Sequence, residues 1–222
     1  MIVIATNNGQ QYIDKCIDNI FKQTKQTSIT IIDTNSSDLN QKQYIKQLAI
    51  NNNFNYHEMT YSGYDLGAYK LAMELYPNEP YYWLQHDSII MKNPNTLSYI
   101  EELLETNDIV SLIAFSKNMY ETDYQRNNVR KWFGKIEFER GVYGPNFGFK
   151  NNILNILKEK VKEIEIKNKE DLKSMERGWA VLFELLNFKV ANIETKPFNF
   201  FRFYENDYDY FIKAKHENGP RQ

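Results

Sequence analysis

The chain has 222 residues, 27 Lys and Arg against 29 Asp and Glu, and a formal charge of −2. Apolar residues make up 42% and charged residues 25%, which excludes a collagen-like, acidic disordered or disulfide-scaffold chain and gives one domain enough material for a core and a cleft. The near-neutral balance lacks the basic excess of a general nucleic-acid binder and leaves room only for a local basic groove.

Residues 2–5 form a β-branched apolar run that stops at Thr6-Asn7-Asn8-Gly9, predicting a buried strand and a polar loop. Tyr12, Ile13, Cys16, Ile17, Ile20 and Phe21 then recur at helical spacing, predicting a helix over 10–23 with Cys16 on its core face. A second strand over 28–32 ends at Asp33-Thr34-Asn35-Ser36-Ser37-Asp38, with Asp38 placed to cap a helix over 40–51, and a third strand follows near 55–58. This alternation implies parallel strands with right-handed crossovers, and so sets the loops at Thr6–Gly9 and Asp33–Asp38 side by side at the carboxyl edge, where ligands bind.

A helix over 66–76 stops at Pro77 and Pro80. Tyr81–Leu84 reads as the fourth strand, running into Gln85-His86-Asp87-Ser88, with Ile89–Met91 as its continuation. A helix over 95–105 and a strand over 108–115 follow, and 116–140 reads as a polar, irregular loop carrying Arg126, Arg130, Lys131, Trp132 and Arg140. Tyr143–Phe149 is punctuated by Gly144 and Gly148; helices near 150–163 and 170–187, a strand over 188–193 and a Phe/Tyr-rich tail over 197–211 complete the chain. Cys16 is the sole cysteine, so neither an intrachain disulfide nor a Cys-based zinc site can form, which suits a reducing cytoplasm. The opening apolar run is too short for a signal peptide, and no stretch approaches the roughly 20 apolar residues of a membrane span.

Asp87 ends an apolar strand at the cleft edge, where a carboxylate can hold a divalent cation bridging two phosphates or can serve as a turn residue. Asp33, Asn35 and Ser36 suit hydrogen bonding to a base or ribose, or an Asx turn. In order along the chain, these segments resemble the GT-A nucleotide-sugar glycosyltransferases, most nearly the family 2 type. The resemblance runs through the helix at 12–24, Asp33–Asp38, Tyr64-Asp65-Leu66-Gly67-Ala68, Gln85-His86-Asp87, Gly144–Gly148 and Met175-Glu176-Arg177, and so covers about residues 1–195.

The resemblance implies a mixed, mostly parallel Rossmann-like sheet flanked by helices, in one domain whose 1–115 half binds the donor and whose 116–222 half faces the acceptor. It implies a nucleoside-diphosphate sugar as donor, with a UDP-sugar favoured, held by Thr6, Asn7, Asn8, Asp33, Asn35, Ser36, Asp65, Gly67, Gln85 and His86. It also implies Mn²⁺ or Mg²⁺ on Asp87, completed by His216, and Glu176 as general base of an inverting transfer, with Arg177 beside it. His86 is set on the strand face opposite Asp87 and is not expected to bind the metal. Gln85 stands where the family has the first Asp of its metal motif, and Arg177 where it has a second acid. Those two departures keep a catalytically inactive sugar-nucleotide or glycan-binding module as an alternative.

A third reading, a nucleotidyltransferase, lacks the basic Gly-rich first loop that such enzymes carry. The acceptor is a glycan or another hydroxyl. The Asn, Lys and Ile excess of an AT-rich genome, viral or bacterial, brings in modified bases of phage DNA as a second class of acceptor. Arg126, Arg130 and Lys131 are candidates to neutralise the leaving diphosphate, Trp132 to stack on a sugar, and the aromatic tail to pack over the sheet or form a homodimer contact.

Overall fold

A computed structural model describes residues 1–61, 63–115, 120–139, 141–142, 144, 146–196 and 208–214. β1 (Ile2–Thr6), α1 (Gln10–Phe21), β2 (Ile29–Asp33), α2 (Leu39–Asn51), β3 (Asn55–Glu58), α3 (Tyr64–Leu75) and β4 (Tyr81–His86) alternate strand and helix as the hydrophobic pattern requires. Then come β5 (Ile89–Met91), α4 (Thr96–Thr106), β6 (Ile109–Phe115), α5 (Asp123–Phe133), β7 (Gly141–Val142) and β8 (Phe147–Lys150). A 3₁₀ turn over Asn151–Ile153, α6 (Leu154–Val161), α7 (Lys169–Leu185), β9 (Val190–Glu194) and β10 (Phe211–Lys213) follow.

The main sheet has the order β3-β2-β1-β4-β8-β6-β7, with β9 paired to β6. β3, β2, β1 and β4 are parallel, and β8 inserts antiparallel between β4 and β6. The expected mixed, mostly parallel α/β sheet is therefore the one observed. Its two faces bury separate cores. Val3, Ala5, Tyr82 and Leu84 face α3, α6 and α7, whereas Ile2, Ile4 and Trp83 face α1, α2 and α4. That alternation along β1 and β4 is the period of two of a strand covered on both sides.

Three segments depart from the sequence expectation. β4 runs on through Gln85 and His86, and Ile89–Met91 is a separate strand. β5 pairs antiparallel with β10, whose strand character the aromatic tail conceals. The supposed loop over 116–140 contains α5. Thr122 caps its first turn by accepting the Gln125 N–H at 3.3 Å, and Gly134 ends it with φ of 72°, a left-handed conformation that glycine adopts without a Cβ penalty. Among the described residues, no helix is long and apolar enough to cross a membrane.

Candidate active site

The two polar loops meet as expected. Thr34 N–H donates to the Thr6 carbonyl at 2.9 Å, Asn8 N–H to Ser36 Oγ at 2.8 Å and Asn7 Nδ2 to the Thr34 carbonyl at 3.0 Å. Asp38 N–H donates to Asn8 Oδ1 at 3.0 Å, and the Asp38 carboxylate caps α2 through the N–H groups of Asn40 and Gln41. Asp33 is fully buried at the end of β2. Its Oδ1 accepts the Ser36 N–H at 2.6 Å, while Oδ2 is buried with no hydrogen-bond partner among the described residues. A buried carboxylate oxygen left open at a sheet's carboxyl edge is suited to a ligand's donor groups. Asn8 and Asn35, both at positive φ (50° and 66°), shape this rim.

The alternation of β4 separates its polar end residues. Gln85 follows Trp83 to the α1 face and is fully buried. It accepts the Trp83 indole N–H at 2.8 Å and donates to Cys16 Sγ at 3.1 Å. Its expected role in holding the donor is thereby corrected, because the amide is committed to the core. His86 follows Leu84 to the other face, as expected. There its Nε2 lies 3.2 Å from Asp65 Oδ2 on α3, and its N–H donates to Asn146 Oδ1 at 3.1 Å. Asp87 turns back toward α1, where Thr6 Oγ1 donates to its Oδ2 at 2.7 Å. Gly9 makes room for this pair, since a Cβ there would sit 1.8 Å from Asp87 Oδ2 and 2.3 Å from Thr6 Oγ1. Gly67 packs against Met59 and lines a different cleft, so its expected donor contact is also not where the structure puts it.

Glu176 and Arg177 are neighbours on α7. Arg177 Nη1 donates to Glu176 Oε2 at 2.6 Å, and Nη2 reaches Glu121 at 3.2 Å. α5 fastens this helix. Tyr124 Oη donates to Asp171 at 2.7 Å, Asn128 Nδ2 to the same carboxylate at 2.9 Å and Gln125 Nε2 to Glu170 at 3.0 Å. Burial raises the Glu176 carboxyl above its usual range, against the opposing pull of Arg177 and His86. A carboxylate so raised is a stronger base near neutral pH.

His86, Ser88, Gly144, Asn146, Glu176 and Lys213 enclose a notch of about 70 Å³. The sequence reading did not assign Asn146 or Lys213. Asn146 had a signal, lying between Gly144 and Gly148, and its Nδ2 is buried without a partner among the described residues. Lys213 had none, because it arrives on a strand that only the tertiary pairing defines. The larger cleft, of about 630 Å³, lies between α3 and residues 162–167. Two of its cations are tied locally, Lys70 to the carbonyls of Lys162 and Ile164, and Lys167 to Glu165.

The proposed basic loop is corrected as well. Arg126, Arg130 and Lys131 are exposed on α5, with Arg126 paired to Asp123 at 2.7 Å, and Trp132 packs toward the core, so none lines the notch. Arg140 and His216 lie outside the described residues. Among the described residues, no group of three or more His, Cys, Asp or Glu side chains could hold a metal ion. Among the described residues, Asp87 is the one expected metal ligand at the turn, and Gln85 is committed to the core.

No family model matches the chain, and no curated protein sequence matches it. Solved structures do. Staphylococcus aureus TarS 1–349 in complex with UDP superposes with a TM-score of 0.59 at 14% identity, over 96% of this chain and 60% of that one. The mannosyltransferase PcManGT from Pyrobaculum calidifontis, in complex with GDP-Man and Mn²⁺, gives 0.61 at 13% identity, over 98% and 57%. GalNAc-T7 with UDP, GalNAc and Mn²⁺ gives 0.60 at 12% identity, over 86% and 41%. The chain thus spans about three fifths or less of these proteins, and it has the GT-A fold that they share.

Proposed function

We propose that the chain is a glycosyltransferase that moves a hexose from a nucleoside-diphosphate sugar, with a UDP-sugar favoured, to an acceptor hydroxyl. Residues 1–115 hold the donor and the later half faces the acceptor. The observation that carries this reading is the presence of two features at one sheet edge: the joined loops around the buried Asp33 carboxylate, whose Oδ2 has no partner among the described residues, and Glu176 with its raised pKa in the notch.

Asp33, Asn7, Asn8, Asn35 and Ser36 bind the nucleoside, and Asp65 with His86 orients the sugar. Glu176 takes the proton of the acceptor hydroxyl, whose oxygen attacks the anomeric carbon from the face opposite the departing nucleoside diphosphate, inverting it. A positioned base of this kind contributes roughly 10²–10⁴-fold. Gln85, one of the two departures that raised the inactive-module alternative, has a role in the core. The Mn²⁺ held by two of the neighbours has no matching shell among this chain's described residues, so no step of the reaction is assigned to a metal.

The test is a thermal-shift screen of UDP-, GDP- and dTDP-sugars on the wild type and on Asp33→Ala. One donor should stabilise the wild type by about 2.7 kcal/mol at 100 times its dissociation constant, and Asp33→Ala should abolish the shift. If none of them shifts the melt, the reading fails.

A further inference from the structure

We propose that Lys213 is the cation that stabilises the departing diphosphate. The inference rests on the glycosyltransferase reading and deepens it.

Three observations converge on it. The first is the poverty of the metal position. Gln85 is locked between Trp83, Cys16 and Ile89, and Asp87, engaged by Thr6, is the one carboxylate at that turn among the described residues. The second is the location of Lys213, which lines the same notch as Glu176, His86 and Asn146 and acts on the Glu176 carboxylate electrostatically.

The third is how firmly the lysine is delivered. β10 pairs with β5 from Phe211↔Met91 to Lys213↔Ile89, and Ala214 N–H donates to the Ser88 carbonyl at 2.9 Å, next to Asp87. Phe211 stacks on Trp83 at 5.6 Å and Tyr210 on Tyr99 at 4.8 Å. The Glu194 carboxylate, 3% exposed, accepts three consecutive backbone N–H groups, from Asp209, Tyr210 and Phe211, at 3.0, 2.6 and 3.0 Å. A short segment with so many anchors is built to hold something in place, and the charged side chain that it brings to the notch is Lys213.

The chemistry calls for a cation there. As the acceptor oxygen bonds to the anomeric carbon, the bond from that carbon to the β-phosphate oxygen breaks. The electron pair stays on the phosphate, the hydroxyl proton passes to Glu176, and the leaving nucleoside diphosphate gains one unit of negative charge. A fixed ammonium beside that oxygen stabilises the developing charge with no proton transfer of its own. Lys213 precedes Ala214, whose N–H reaches the Ser88 carbonyl, so it enters the notch from the side of the Asp87 turn.

The test measures UDP, GDP, UMP and GMP binding by calorimetry in EDTA and again in Mn²⁺, for the wild type, Lys213→Met and Lys213→Arg. Melting curves confirm that each variant folds. The wild type should bind one diphosphate in EDTA. Lys213→Met should weaken it at least about tenfold while changing the matching monophosphate by less than about twofold, and Lys213→Arg should restore most of the loss. Diphosphate binding that requires Mn²⁺, or that ignores Lys213→Met, overturns the proposal alone. No nucleotide binding to the wild type in either condition overturns the glycosyltransferase reading and this proposal together.

Discussion

Gly9→Ala isolates the contact that fixes Asp87. The backbone at Gly9 (φ −95°, ψ 12°) suits alanine, so any cost must come from space. The added Cβ would stand 1.8 Å from Asp87 Oδ2 and 2.3 Å from Thr6 Oγ1, well inside the 3.4 Å where ordinary contact begins. Both atoms belong to short, buried side chains, and moving Asp87 breaks its 2.7 Å bond from Thr6. Overpacking typically costs about 1–3 kcal/mol and a lost hydrogen bond to a charged group about 1.5–3 kcal/mol. Gly9→Ala should therefore destabilise by about 3–5 kcal/mol, on the order of 10 °C in Tm for a chain of this size.

In a Thr6→Ala/Asp87→Ala background the obstructing atoms are gone. There the same change should cost less than about 1 kcal/mol, the small preference for glycine over alanine at a helix N-cap. The assay is a mutant cycle by urea denaturation, with an expected coupling of about 2–4 kcal/mol. An equal cost in both backgrounds refutes the reasoning and moves the role of Gly9 into the backbone.

Glu194→Gln replaces a carboxylate that collects three N–H groups with an amide that can oppose them, so it should cost about 2–4 kcal/mol and remove hydrogen-exchange protection first at Tyr210 and Phe211. Protection that persists there would show that strand pairing alone holds the segment. Glu176→Gln should lower turnover by about 10²–10⁴-fold with nucleotide affinity nearly unchanged. Because the folded pKa of Glu176 lies above its ordinary value, its ionisation opposes folding. Wild-type stability should therefore decline relative to Glu176→Gln as pH rises from the normal glutamate range through the folded pKa, which parallel melts across pH 4–8 will register. Burial, aided by nearby Asp87, pushes the Cys16 thiol far up. A thiol reagent should thus leave the native protein unlabelled and react only on unfolding.

The parallel half of the fold was legible because each of its elements buries a one-sided or two-sided apolar pattern, and pattern fixes face. The meeting of the two polar loops followed directly, since strand ends in a parallel sheet share an edge. The errors have a common cause in tertiary partners. α5 has few apolar residues because it meets α7 through Tyr124, Gln125 and Asn128 as well as through Val129 and Phe133, so its periodicity was faint, although Thr122, Gln125 and Gly134 marked its ends. Gln85 looked like a depleted metal ligand because aligned order does not reveal strand face. Counting the alternation from Trp83 would have turned it inward. Lys213 was beyond reach, because β10 exists only through β5 and Glu194.

The pairing of β5 with β10 also dictates an order of assembly. Its two strands come from opposite sides of the midpoint of the chain. The notch cannot be complete until the second of them is made, because one of its walls arrives with Lys213. The polar loops at residues 6–9 and 33–38 thus lie more than half the chain ahead of the lysine that completes the notch.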